Sequence, residues 1–232
     1  MFTVVAQRSL SRAEDYFDEH LSVNDYYTKE ALRPSQWIGQ GVEQLGLQQG
    51  QVVTRGAFRA LCENVRPQTG QRLTQRQNGQ GNRRIFYDFV CSPPKSVSIL
   101  AVCMNDQRLG TAHEEAAKVA LRELETFAST RVRRSCRQED RPTGNIIAAQ
   151  FTHTTSRSLD PQLHTHFTVF NATFDVTEIR WKALQAGPMY EATRYATEVY
   201  RNELARRVQA LGYRTEPCGD SLGDRGCIQG SS

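Results

Sequence analysis

From Phe151 to His166 the chain reads Phe-Thr-His-Thr-Thr-Ser-Arg-Ser-Leu-Asp-Pro-Gln-Leu-His-Thr-His, and this stretch holds three of the five histidines in the protein. His164 and His166 alternate in an apolar run, Leu163 to Phe170, that reads as a β-strand, so both project from one sheet face. His153 ends a second apolar run that begins at Ile146. The Ser-Arg-Ser-Leu-Asp-Pro between the runs is a loop that folds one strand back beside the other. Three imidazoles then converge, and the chain is committed to an antiparallel pair. Imidazole is a common ligand for transition metals, and three neutral ligands leave coordination positions open. An open position favours catalysis over a closed structural site, which normally uses four protein ligands. The alternative is three hydrogen-bonded strand histidines with no ion.

The rest of the composition narrows the class. With 232 residues, 38% of them hydrophobic, and a mean hydropathy of -0.58, the chain is expected to be soluble and able to bury a core. No eighteen-residue apolar span occurs, and Met1-Phe-Thr-Val-Val-Ala-Gln-Arg8 turns polar too soon for a signal peptide, so a cytoplasmic location without membrane attachment is expected. The six cysteines form no CxxC pair, which suits reduced thiols. The formal charge of +4 is only mildly basic. Its distribution says more: arginine far outnumbers lysine and clusters at Arg72, Arg76, Arg83 and Arg84, and again at Arg131, Arg133, Arg134 and Arg137. Guanidinium groups grip phosphates bidentately and stack on bases, so the bias points to a phosphodiester ligand, with solvated loops as the alternative.

Along the chain, Phe2 to Ala6 reads as a strand. A helix begins at Ser11, whose Ser-x-x-Glu14 is a capping box, and carries Tyr16. A short helix, Asp25 to Leu32, carries Tyr26 and Tyr27. Residues 35 to 56 read as a Gly/Gln-rich connection containing Trp37, followed by a short helix from Ala57 to Val65 and a polar loop from Pro67 to Asn82. Arg84 to Cys91 reads as a strand buried on both faces. Asp88 is its anomaly, because a carboxylate inside an apolar strand costs several kcal/mol unless it is paired or hydrogen-bonded. A long amphipathic helix runs from about Asp106 to Ser129, with Ala116, Val119, Ala120, Leu124 and Phe127 as core. A linker, Thr130 to Gly144, leads to the histidine strands. A strand at Glu178 to Leu184 and a helix from Pro188 through Leu211, stopped by Gly212, complete the pattern. Without βαβ alternation, this predicts an α+β sandwich: a central antiparallel or mixed sheet covered by helices.

Four stretches, in order, carry a resemblance to the N-terminal relaxase domain of conjugative relaxase-helicases of the TrwC/TraI type, a branch of the HUH endonucleases. They are Tyr16-Phe17 with Asp25-Tyr26-Tyr27, Trp37-Ile-Gly39-Gln-Gly41 and Leu45-Gly-Leu47; Asp88-Phe-Val-Cys-Ser92-Pro-Pro-Lys95-Ser-Val-Ser98; the histidine stretch; and Ala192-Thr-Arg194-Tyr195 with Tyr200-Arg-Asn202-Glu203-Leu204. Residues 1 to 216 are expected to form the relaxase domain and 217 to 232 a divergent tail. The resemblance implies binding of single-stranded DNA at a transfer origin and cleavage of one phosphodiester by tyrosine attack, leaving a 5′-phosphotyrosine. Tyr16 matches the first catalytic tyrosine and Tyr26 the first member of the second pair. Phe17 is a departure, because the family has a second tyrosine there.

A phenol titrates near 10, so its proton must be accepted or its anion stabilised. A divalent ion on His153, His164 and His166 (Mg²⁺ or Mn²⁺, with Zn²⁺ or Ni²⁺ as alternatives) and Asp88 are the available groups. Asp88 either accepts the Tyr16 proton or orients a ligand histidine. Arg84, Lys95, Arg157, Lys182 and Arg194 lie in or beside the matched stretches as candidate phosphate contacts, with salt bridging as the alternative for each. The implied partners are the origin DNA, accessory relaxosome proteins, a coupling protein and a helicase. No Gly-x-x-x-x-Gly-Lys-Ser/Thr loop occurs, so a fragment or a stand-alone relaxase is expected. A rolling-circle initiator or transposase is disfavoured, because in those enzymes the tyrosine usually follows the histidines. A non-catalytic DNA-binding module is disfavoured because it needs no nucleophile beside a metal.

Overall fold

The two histidine-bearing runs pair antiparallel inside a five-stranded sheet. The computed structural model describes residues 1–9, 15, 34–75, 84–134, 137–156, 160–216 and 227–229. In chain order the elements are β1 (Phe2–Gln7), β2 (Gln36–Ile38), α1 (Gly41–Leu45), α2 (Arg55–Cys62), β3 (Phe86–Cys91), α3 (Lys95–Cys103), α4 (Gln107–Glu125), β4 (Ser129–Arg134) and β5 (Arg137–Pro142). They continue with β6 (Ala148–Thr155), β7 (Pro161–Phe170), β8 (Thr173–Asp175), β9 (Arg180–Lys182), β10 (Leu184–Gln185), α5 (Gly187–Glu191), α6 (Thr193–Ala210), β11 (Arg214–Glu216) and β12 (Cys227–Gln229). The central sheet has the order β1-β3-β7-β6-β2, and every neighbouring pair is antiparallel. The α+β architecture with a helix-covered central sheet is thus the one expected.

Strand alternation divides the sheet into two faces. Phe2, Tyr87, Phe89, Phe167 and Val169 point to one side and pack on Ala116, Ala120 and Leu124 of α4 and on Tyr200 and Leu204 of α6. Trp37, Phe86, Phe151 and Phe170 point to the other and pack on Val42 and Leu45 of α1 and Phe58 of α2. The helices are capped locally: Thr54 accepts from the Ala57 amide at the start of α2, and Asp106 from that of Arg108 at the start of α4.

Between β2 and α1 the chain passes the segment leading into β6 so closely that a Cβ on Gly39 would stand 2.4 Å from the Ile146 carbonyl oxygen, and Gly39 also has φ +109°. Only glycine meets both conditions. The buried Glu125 carboxylate fastens this close approach by accepting from the Gln40 and Ile146 amides at 2.7 and 2.8 Å.

Several sequence expectations are corrected. Residues 35–56 contain an edge strand and a helix, because Trp37 sits with 1% exposure against Phe170. Residues 130–144 are mostly the hairpin β4–β5, whose exposed Arg131 and Arg133 alternate with buried Thr130 and Val132. So few apolar side chains leave little strand signal. The segment 178–184 starts late and is split: Asp175 accepts from the Thr177 and Glu178 amides, turning the chain before β9, and Ala183 separates β9, which pairs with β8, from β10, which pairs with β4. The last helix breaks at Ala192, where the Thr193 hydroxyl donates to the Tyr190 carbonyl. Helix α4 ends at Glu125, leaving Phe127 38% exposed rather than in the core. Gly212 has the expected left-handed φ of +94° beyond α6. The expected helices carrying Tyr16, Tyr26 and Tyr27 lie outside the described residues.

Candidate metal centre

His153 and His164 are direct cross-strand partners, and Phe151 opposes His166, so the three histidines share one sheet face. Their ring centroids are 5.3 Å (His153 to His164), 5.6 Å (His153 to His166) and 5.1 Å (His164 to His166) apart. Three imidazoles bound to one ion at metal–nitrogen distances of about 2.0–2.1 Å put their ring centres roughly 5 Å apart, so the spacing suits a shared ion.

The hydrogen bonds decide which nitrogen is available. His164 Nδ1 is 2.9 Å from the Gln162 carbonyl oxygen, and His166 Nδ1 is 2.9 and 3.1 Å from the two Asp88 oxygens. A carbonyl or an ionised carboxylate only accepts, so Nδ1 carries the proton in both rings and Nε2 keeps the lone pair. The Nε2 atom of His153 is shut off from solvent and makes no hydrogen bond, although the residue has other interactions. Burial lowers the His164 pKa, which favours the neutral, ligating form. Among the described residues no set of three or more His, Cys, Asp or Glu side chains has its donors already gathered at metal-holding spacing. The fit therefore rests on ring distances and tautomers.

Helix α3 pins the start of the histidine strand. The Leu163 amide donates to Ser98 Oγ at 3.2 Å, and Lys95 Nζ donates to the Pro161 carbonyl at 2.7 Å. Lys95, expected as a phosphate contact, thus has a structural use. So has Lys182, whose Nζ reaches Glu178 at 2.9 Å and the 1%-exposed Asp175 at 3.4 Å. Arg84 stands four residues before Asp88, about 13 Å along an extended strand. It shares a cavity of about 330 Å³ with Arg131, Arg180, Trp181 and Lys182, and among the described residues no carboxylate lines that cavity. Arg194 is exposed, in a separate cavity beside Met1, Thr193 and Arg201. Among the described cations, Lys95 thus sits at the start of the histidine strand, while Arg84 with Lys182 and Arg194 line two separate cavities. Tyr16, Tyr26 and Arg157 lie outside the described residues.

The family model for the TrwC relaxase matches residues 10–229. The chain belongs to the TrwC relaxase family. Among its relatives is the multifunctional conjugation protein TraI of Escherichia coli, 40% identical over 227 residues that cover 94% of this chain; the TraI of strain K12 is 37% identical over 228 residues. The chain spans 12% of the length of either TraI protein. Two solved structures of the conjugative relaxase TrwC with oriT DNA, one metal-bound and one copper-bound, superpose with TM-score 0.84 at 32% and 33% identity. Each alignment covers 98% of this chain and 75% of that one.

One residue of this relaxase chain escaped the sequence reading. His113 lies on α4 between Leu109 and Ala116, on the buried stripe, and is fully buried. A polar residue inside an apolar helix stripe is the signal that marks it.

Proposed function

We propose that this relaxase chain nicks and rejoins one DNA strand at a transfer origin through a covalent tyrosine intermediate, the gathering of His153, His164 and His166 on one sheet face with ring centres 5.1 to 5.6 Å apart being the observation that carries the reading. The Tyr16 oxygen forms a bond to the scissile phosphorus as the bond to the 3′ oxygen breaks. The phenol proton is lost to solvent or a nearby base, and the leaving 3′ oxygen takes up a proton. The product is a 5′-phosphotyrosine and a free 3′-hydroxyl. A divalent ion held by the three histidines supplies neutralisation of the nonbridging phosphate oxygens. Nitrogen donors favour Mn²⁺, Ni²⁺ or Zn²⁺ over Mg²⁺, which prefers oxygen ligands. Asp88 acts by orienting His166 and fixing its tautomer, because both of its oxygens face Nδ1; this supports orientation over a general-base role. Tyr26 serves the later strand-transfer step.

Arg84, Arg194 and the exposed Arg131 and Arg133 of the β4–β5 hairpin contact phosphates, giving register and affinity rather than sequence reading. Accessory relaxosome proteins, a coupling protein and a helicase would act with this chain. The test is a labelled single-stranded origin oligonucleotide incubated with protein and Mn²⁺. An adduct that survives SDS is expected from the wild type and is lost in Tyr16→Phe. A Tyr16→Phe variant that forms the full adduct excludes Tyr16 as nucleophile.

A further inference from the structure

On the face of β7 opposite the histidines, a buried polar line runs towards the metal centre. The hydroxyl of Tyr200 on α6 is 2.7 Å from His113 Nδ1. His113 Nε2 is 3.0 Å from Thr165 Oγ1, and Thr165 Oγ1 is 3.0 Å from Thr152 Oγ1. His113, Tyr200 and Thr165 are fully buried. Thr165 separates His164 from His166, and Thr152 precedes His153. The line therefore ends on residues next in sequence to all three expected ligands.

Its position matters because the β6–β7 ladder is irregular there. Register is regular through the pair His153–His164 and then shifts before Thr155 pairs with Pro161. A bulge relaxes the ladder and lets a side chain be re-aimed. Beside it, the Thr152–Thr165 hydrogen bond joins the two strands from the opposite face, and His113 holds that bond to α4. A neutral imidazole has one N–H, so one ring nitrogen donates and the other accepts, and both are used.

We propose that His113 is a positioning residue for the metal centre, acting through Thr165 to hold β6 and β7 in the register that gathers His153, His164 and His166. The inference rests on the metal reading given above. It predicts that removing the line changes metal affinity out of proportion to fold stability, because ligand placement tolerates only about half an ångström of error.

The experiment titrates Mn²⁺ into the DNA-free chain by calorimetry and measures metal-free thermal unfolding beside it. Thr165→Val removes the hydroxyl with little change of shape, and His113→Phe removes both hydrogen bonds. Each is expected to bind Mn²⁺ about tenfold more weakly, as for other outer partners of ligands. His113→Gln, which keeps polar ends, is expected to recover part of that affinity. Val208→Ala, a buried α6 change away from the line, is expected to lower the unfolding temperature and leave Mn²⁺ affinity within twofold. If His113→Phe does not fold, Thr165→Val alone decides. Wild-type Mn²⁺ affinity in Thr165→Val, or an equal loss in Val208→Ala, overturns the positioning role. A wild-type chain that binds none of Mn²⁺, Ni²⁺ and Zn²⁺ overturns the metal reading and this inference together.

Discussion

His113 and His166 approach β7 from opposite faces, and the two environments use the same side chain in opposite ways. His113 spends both ring nitrogens inside the protein, on Tyr200 and Thr165, and burial pushes its pKa down to about 3. His166 turns Nδ1 to Asp88, as His164 turns Nδ1 to the Gln162 carbonyl, which makes Nε2 the lone-pair nitrogen of each ring. A histidine with both nitrogens bonded within the fold is a strut. One whose Nδ1 is held by a carboxylate, with two other imidazoles 5.1 and 5.6 Å away, has the arrangement that the proposed metal reading needs.

The hardest test of that distinction is His164→Ala. It removes one of three ligands, and we expect Mn²⁺ affinity and covalent adduct formation to fall at least about 100-fold, with a much smaller loss of single-stranded DNA binding, which rests on arginine–phosphate contacts. Equal loss of adduct and DNA binding, with unfolding at the same temperature as wild type, would place His164 in DNA recognition instead. Asp88→Asn comes next: it keeps the shape but removes the charge that fixes the Nδ1 proton on His166. Metal affinity and nicking rate are expected to fall together by about 10- to 100-fold. A rate loss with unchanged metal affinity would return Asp88 to the general-base role.

Sequence alone brought the three strand histidines to one sheet face, where the structure has them, and missed the strut. Alternation in a run as apolar as Leu163 to Phe170 determines the face on which His164 and His166 lie, and a hairpin-length loop brings His153 back. Asp88 stood out because a carboxylate in an apolar strand needs a partner, and His166 is that partner. His113 gave only a polar residue on a helix stripe. Its partners, Tyr200 and Thr165, lie 87 and 52 residues away, a pairing that follows from tertiary packing. The β4–β5 hairpin was read as linker for a similar reason: it is held less by apolar burial than by Ser129 and Thr130 hydroxyls donating to the carbonyls of Gln185 and Ala183.

The strut has a signature in pH. The pKa of His113 falls from 6.5 to about 3 on folding, so between these values the unfolded chain binds the extra proton. The stabilising contribution is complete above about pH 6.5 and shrinks as pH falls, by about 2 kcal/mol at pH 5. Urea unfolding of the metal-free wild type and His113→Gln at pH 7.5 and pH 5 measures it: the variant should be less stable at pH 7.5 and lose less on acidification. Parallel losses would mean that His113 does not resist protonation as its burial implies.

The same contrast between committed and available groups orders the cations. Lys182 and Arg141 both serve Asp175, whereas Arg84 has a neutral partner in Tyr87 and Arg133 is exposed on β4. Arg84→Gln and Arg133→Gln are each expected to weaken DNA binding severalfold and to reduce the slope of affinity against salt by about one, the mark of one lost phosphate contact. Lys182→Met should do least. Arg141, 2.7 Å from Asp175 in the wild type, is expected to keep a counter-charge on the buried carboxylate, and the stability loss is expected near 1 kcal/mol. Its salt slope should match wild type within error. A slope reduced as far as in Arg84→Gln would show that Lys182 leaves its carboxylates to bind DNA, and hydrogen bonds seen within the fold would then not decide which side chains are available to a ligand.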